Sequence, residues 1–103
     1  MGNYDIQPLT TETQGSTLLL SGDIDLYVAG AFREVGEAHV RDYAEPVIDL
    51  TGVPFLDSAG LASLLSIARV ARNHSRTLHV IANGNPRRVL RITGVDQLVS
   101  MQE

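Results

Sequence analysis

The chain has 103 residues, a net charge of −4, a hydrophobic fraction of 44% and no cysteine. One domain of residues 1–103 is expected, with a core large enough to need no staple, and disulfides, thiol chemistry and cysteine-based metal sites are excluded. The acidic balance argues against a nucleic-acid binder, and because all eight basic residues are arginine, chemistry that needs a lysine amine is excluded too.

The N-terminus, M-G-N-Y-D-I, lacks the basic and apolar regions of a signal peptide. Position 6 is Ile, where a myristoylation signal wants Ser or Thr. No apolar run approaches the ~20 residues of a membrane span. A soluble cytoplasmic protein is the expectation. His39, His74 and His79 share no ligand spacing and are read as surface or edge residues; no metal is expected.

Tyr4 to Leu9 reads as an edge strand limited by Pro8. Thr10 to Ser16, polar and holding Gly15, reads as a hairpin turn, and Thr17 to Ser21 as the antiparallel partner strand. Gly22-Asp23-Ile24-Asp25 follows, two acids around one apolar residue. From Leu26 to Tyr43, Val28, Ala31, Phe32 and Val35 follow a helical period, weakened by Gly30 and Gly36. Asp25 is read as the cap of that helix.

Val47, Ile48 and Leu50 read as a central strand buried on both faces, interrupted by Asp49, for which a structural role is expected. Thr51-Gly52-Val53-Pro54 ends it. Leu61, Leu64, Leu65 and Ala68 then fall at i, i+3, i+4 and i+7. That spacing predicts a helix from Ser58 to Asn73, with Asp57 and Ser58 at its positive end. Leu78 to Ala82 is a further strand. Asn85 is expected to cap a helix begun by Pro86. Val89, Leu90 and Ile92 should face inward, with Arg87, Arg88 and Arg91 in solvent. Gly94 stops this helix, and Leu98 to Met101 gives a last strand. The order β-β-α-β-α-β-α-β implies an α/β fold, a mixed sheet with helices packed on one face or both.

Ser58 has three readings. It can be a helix cap and nothing more. It can be a nucleophile on a strand-turn-helix elbow, but Leu56 stands where that motif wants its first glycine, and no acid lies between Ser58 and a histidine. It can be a phosphorylation switch, since a helix N-terminus accommodates a phosphate and Asp57, with Asp23 and Asp25, already makes the surface acidic. A phosphoaspartate receiver centred on Asp49 is disfavoured because it needs a lysine. Asp23 and Asp25 alone do not make a metal site.

G-D-I-D at Gly22–Asp25, V-I-D-L at Val47–Leu50, F-L-D-S-A-G-L at Phe55–Leu61 and N-P-R-R-V-L-R-I-T-G-V at Asn85–Val95 together resemble the STAS domain of bacterial anti-sigma factor antagonists. The resemblance implies a non-enzymatic protein without cofactor. It would bind an anti-sigma factor that is also a serine kinase, so that the sigma factor is released. That kinase would phosphorylate Ser58 and end the interaction, and a serine phosphatase would restore it. Asp23, Asp25, Asp57, Ala59, Gly60 and Leu61 would lie in the partner contact. The family usually continues into a C-terminal helix, for which the chain, stopping at Glu103, leaves no room after the last expected strand; its absence would expose apolar surface. The alternative implied by the resemblance is a short STAS subunit docked on the ATPase of a lipid-transporting ABC system.

Overall fold

A computed structural model describes residues 9–102. Strands β1 (Thr10–Gln14), β2 (Thr17–Ser21), β3 (Val47–Gly52), β4 (His79–Ile81) and β5 (Ser100–Gln102) alternate, after the first hairpin, with helices α1 (Ala29–Asp42), α2 (Ser58–Asn73) and α3 (Gly84–Thr93). A short 3₁₀ turn, Val95–Gln97, precedes β5. The five strands form one sheet in the order β1-β2-β3-β4-β5. β1 and β2 are antiparallel; the other pairs are parallel. Sequential order with right-handed crossovers puts all three helices on one face.

The alternation of burial agrees. Leu18, Leu20, Ile48, Leu50 and Val80 are buried beneath the helices, whereas Leu19, Val47, Asp49, His79 and Ile81 are half-buried on the other face. β3 is therefore fully covered on one face only. Asp49 accepts hydrogen bonds from the Thr51 backbone N–H (2.9 Å) and hydroxyl (2.7 Å), a structural role at the strand end. No helix of the described residues is long and apolar enough to cross a membrane.

Helices α1 and α2 pack side by side. The Ser63 hydroxyl donates to the Ala29 carbonyl (2.8 Å) and the Ser66 hydroxyl to the Glu37 carboxylate (2.6 Å). Gly36 lets the helices approach: a Cβ there would run into the Ile67 side chain. After α2, Arg76 donates through one guanidinium nitrogen to the carbonyls of Val40, Arg41 and Tyr43. It satisfies acceptors that the end of α1 leaves without helical partners.

Several expectations are corrected. The strand expected from Tyr4 lies, apart from Leu9, outside the described residues. Thr10–Gln14 is strand β1 rather than turn, exposed at every position and held by its pairing to β2. The hairpin turn shrinks to Gly15-Ser16. The α1 helix starts at Ala29, three residues later than Leu26. His39 is not a surface residue: it is 5% exposed. Its Nε2 lies 2.6 Å from the Ser16 carbonyl, and its ring sits 4.7 Å from that of Tyr43. On α3 the buried residues are Pro86 and Leu90. Ile92, about 200° round the helix from Leu90, is 73% exposed rather than inward. Arg87 is half-buried and reaches the Ala82 and Gln102 carbonyls, so the α3 arginines are not a uniform solvated face. The last strand begins at Ser100, leaving Leu98 55% exposed.

One substitution at two places in α1 should have opposite effects. Gly30→Ala meets nothing within 4 Å and should stabilise by about 0.5–1 kcal/mol. Gly36→Ala should destabilise by about 1–3 kcal/mol through overpacking against Ile67. Urea unfolding of both variants checks the sign; a stabilising Gly36→Ala would contradict this packing.

Candidate functional site at the start of α2

Three loops meet at the C-terminal ends of the parallel strands, where open α/β sheets commonly place their sites. The β2–α1 loop and the β3–α2 loop run together as a short extension of the sheet. The Gly22 N–H donates to the Gly52 carbonyl (3.0 Å), the Ile24 N–H to Phe55 (2.9 Å), and the Asp57 N–H to the Ile24 carbonyl (3.2 Å). Ile24 and Leu56 form a parallel bridge and are both buried.

Asp57 locks this arrangement. It is the N-cap of α2. Its Oδ1 accepts from the Gly60 N–H (2.9 Å) and its Oδ2 from the Leu26 N–H (3.1 Å). One carboxylate thus satisfies an orphan donor of the helix and a donor of the neighbouring loop. The third loop contributes Asn85. Its side-chain carbonyl accepts from the Leu56 N–H at 3.0 Å, so it tethers the β3–α2 loop. The expected capping role is not taken: Asn83 holds the N-cap position of α3 and makes no side-chain bond there.

The sequence-derived site residues fall as follows. Ser58 is the first residue of α2 and is exposed. Its hydroxyl makes no hydrogen bond within the described residues, so the helix is capped by Asp57 and not by Ser58. Ala59 and Leu61 are half-buried. Gly60 is buried, because its Cα lies against Ile24 and Leu56; a Cβ would come within 2.8 Å of the Ile24 carbonyl. Any part it takes in a contact acts through this close packing rather than through exposed surface.

Asp23 is exposed. Asp25 is half-buried and closes the turn ahead of α1. Its Oδ1 accepts from the Tyr27 N–H (3.0 Å), and its carbonyl from those of Val28 and Ala29. It is not the helix cap: Val28 holds that position without a side-chain bond. Among the described residues no group of three or more His, Asp or Glu side chains is gathered as a metal site.

The structure adds residues that the pattern reading passed over. Leu26 is 72% exposed, Tyr27 80% and Phe55 45%. All three stand on the two loops that flank Ser58. Large apolar side chains at this exposure, on two loops joined by backbone hydrogen bonds, make this end a candidate interaction surface. The signal was present in the sequence as L-Y directly after G-D-I-D, but a helical period absorbed it.

Removing each of two adjacent side chains separates capping from presentation. Asp57→Ala should lower stability by about 1–2 kcal/mol, as the loss of a cap does. Ser58→Ala should change it by less than about 0.5 kcal/mol, since an exposed, unbonded hydroxyl is removed. Denaturant titration gives both values; an equal loss in the two variants would restore Ser58 as a cap.

A family model described as Mlab, STAS domain matches residues 9–100. Among solved structures, an anti-sigma factor antagonist from Mycobacterium paratuberculosis is 30% identical, with a TM-score of 0.74; the match covers 90% of this chain and 82% of that one. The anti-sigma factor antagonist SpoIIAA in its unphosphorylated form is 14% identical, with a TM-score of 0.67, over 92% of this chain and 87% of that one. The Bacillus cell fate determinant SpoIIAA in the phosphorylated form gives 14% and 0.65, over 92% and 91%. No curated protein matches the chain by sequence. The mixed five-stranded sheet with three helices has the fold of these antagonists, and with the family match spanning nearly all the described residues, the chain belongs to the STAS domain family.

Proposed function

We propose that this STAS domain is an anti-sigma factor antagonist acting in the cytoplasm. It binds an anti-sigma factor that is also a serine kinase and thereby frees the sigma factor. Phosphorylation of Ser58 by that kinase ends the interaction, and a serine phosphatase reverses it. The role is regulatory, with this protein as the substrate of the kinase. One observation carries the reading: an exposed, unbonded serine hydroxyl stands at the first position of α2, beside the exposed apolar residues Leu26, Tyr27 and Phe55.

The chemistry follows from that placement. The kinase transfers the γ-phosphoryl group of ATP to Ser58 Oγ, releasing ADP and the hydroxyl proton. The product adds about −1.5 to −2 charges next to Asp57, with Asp23 and Asp25 on the adjoining loop. Backbone N–H groups at the start of α2 favour a phosphate there, so the fold can persist. SpoIIAA supports this point, since structures of both its forms share this fold. A partner bound to the apolar rim must instead desolvate the new dianion beside carboxylates, which is strongly unfavourable. The affinity falls while the domain stays intact. Asp23, Asp25, Ala59 and Leu61 are proposed to line the contact, with Gly60 setting its shape from beneath.

A docking subunit of an ABC-type lipid transporter is the second reading. The same apolar rim would serve it, since Leu26, Tyr27 and Phe55 offer a docking surface with or without a phosphate.

Incubation with the cognate kinase and ATP should add one phosphate by intact mass, and Ser58→Ala should take none. Phosphate on the alanine variant would refute the assignment. Ser58→Asp should remain folded and bind the kinase at least about tenfold more weakly, about 1.4 kcal/mol; unchanged binding would remove the electrostatic switch. Co-purification with an ABC ATPase that is indifferent to Ser58→Asp would establish the second reading instead.

A further inference from the structure

A second surface lies along the C-terminal half of α2. Leu65, Ala68 and Arg72 fall at i, i+3 and i+7 on the side of α2 turned away from α1, whose contacts are made through Ser63, Ser66 and Ile67. On that side α2 scarcely meets α3. Two adjoining cavities of about 280 Å³ and 110 Å³ open there, both lined by Ala68, Arg72 and Leu98. Leu65 and Arg69 complete the smaller one. Leu98, 55% exposed, forms the far wall.

The charge on this groove is out of keeping with the chain, which carries twelve acids against eight bases. Arg69 and Arg72 are exposed, and among the described residues their guanidinium groups make no ion pair or hydrogen bond. Arg72 in the last turn suits the helix dipole. The dipole does not explain why Arg69 stands on the same groove beside Leu65, Ala68 and Leu98; the larger cavity also takes in Ser75, Arg76, Thr77 and Leu78 and so has a mixed polar and apolar wall.

We propose that this groove docks an acidic, amphipathic helical segment of a partner protein. Leu65 to Arg72 presents about 10 Å of straight ridge, two helical turns. The cavities have room for apolar anchors spaced at i, i+3 or i+4, the recognition mode of a helix laid in a groove. Carboxylates flanking those anchors would pair with Arg69 and Arg72, so selection is by charge while the apolar contacts give affinity. The site is separate from Ser58 and does not depend on the function proposed for that serine.

The probe is an end-capped peptide of about 15 residues, long enough for helix formation, built of Leu, Ala and Glu with Leu on one face. Its control carries Lys in place of every Glu. Fluorescence anisotropy should show saturable binding of the Glu peptide, weakened as salt rises from about 0.05 to 0.3 M. Amide shifts should map to Leu65–Arg72 and Leu98. The double variant Arg69→Glu, Arg72→Glu, shown folded by circular dichroism, should lose at least about tenfold in affinity, and the Lys peptide should not bind. The proposal is overturned if the Glu peptide does not bind, if the double variant binds it equally, or if the shifts map to Leu26, Tyr27 and Phe55. Displacement by millimolar phosphate at constant ionic strength would assign the groove to small anions instead. Self-association of the protein that the double variant abolishes would assign it to a second copy. Either result also overturns the proposal.

Discussion

The carboxylate of Asp57 is the joint on which this molecule's candidate site depends. It caps α2 through Gly60 and holds the β2–α1 loop through Leu26. A single capping bond contributes about 1 kcal/mol, little for a domain. Its second bond ties a loop of different origin to the same helix end. With the Ile24–Leu56 bridge below it and Asn85 bonded to the Leu56 N–H, three loops become one surface. Gly60 permits this, because any side chain there would meet Ile24 and Leu56.

The serine owes its availability to the aspartate before it. Because Asp57 supplies the cap, Ser58 is released from that duty and its hydroxyl points into solvent at the positive end of a helix of sixteen residues. A phosphate placed there is favoured by the helix and disfavoured by any apolar partner seated on Leu26, Tyr27 and Phe55. A surface of this kind can change its affinity without changing its fold. The far end of the same helix has the reverse character, basic and apolar. α2 thus presents two chemically distinct surfaces, with Ser58 about 10 Å along the helix from Leu65 and about 21 Å from Arg72 at 1.5 Å per residue.

What was legible in the sequence follows from how local each signal is. The bounds of α2 were readable because a strong cap and a clean 3.6 period coincide there. β2 and β3 were readable from short apolar runs, three leucines in β2 and β-branched residues in β3. β1 was not, since its five residues are exposed at every position and nothing alternates; pairing alone makes it a strand. Asn85 before Pro86 matched a capping rule, but a tertiary acceptor role took its side chain. His39 lies on the inner side of α1, and only the packing of the β1–β2 turn against that helix reveals a partner for its ring. Leu26 and Tyr27 were absorbed into the α1 period, although the Asp25 turn excludes them from the helix. The positions of Asp57, Ser58 and Gly60 were legible; the apolar rim that gives them a surface was not.

Amide hydrogen exchange at Leu26 and Gly60 probes the joint directly. If one carboxylate holds both groups, the two amides are protected in the native protein and lose protection together in Asp57→Ala, while the amides of Ile48 and Val80 stay slow. A Leu26 amide that exchanges at the rate of a free loop in the native protein, or stays protected in Asp57→Ala, would contradict the account.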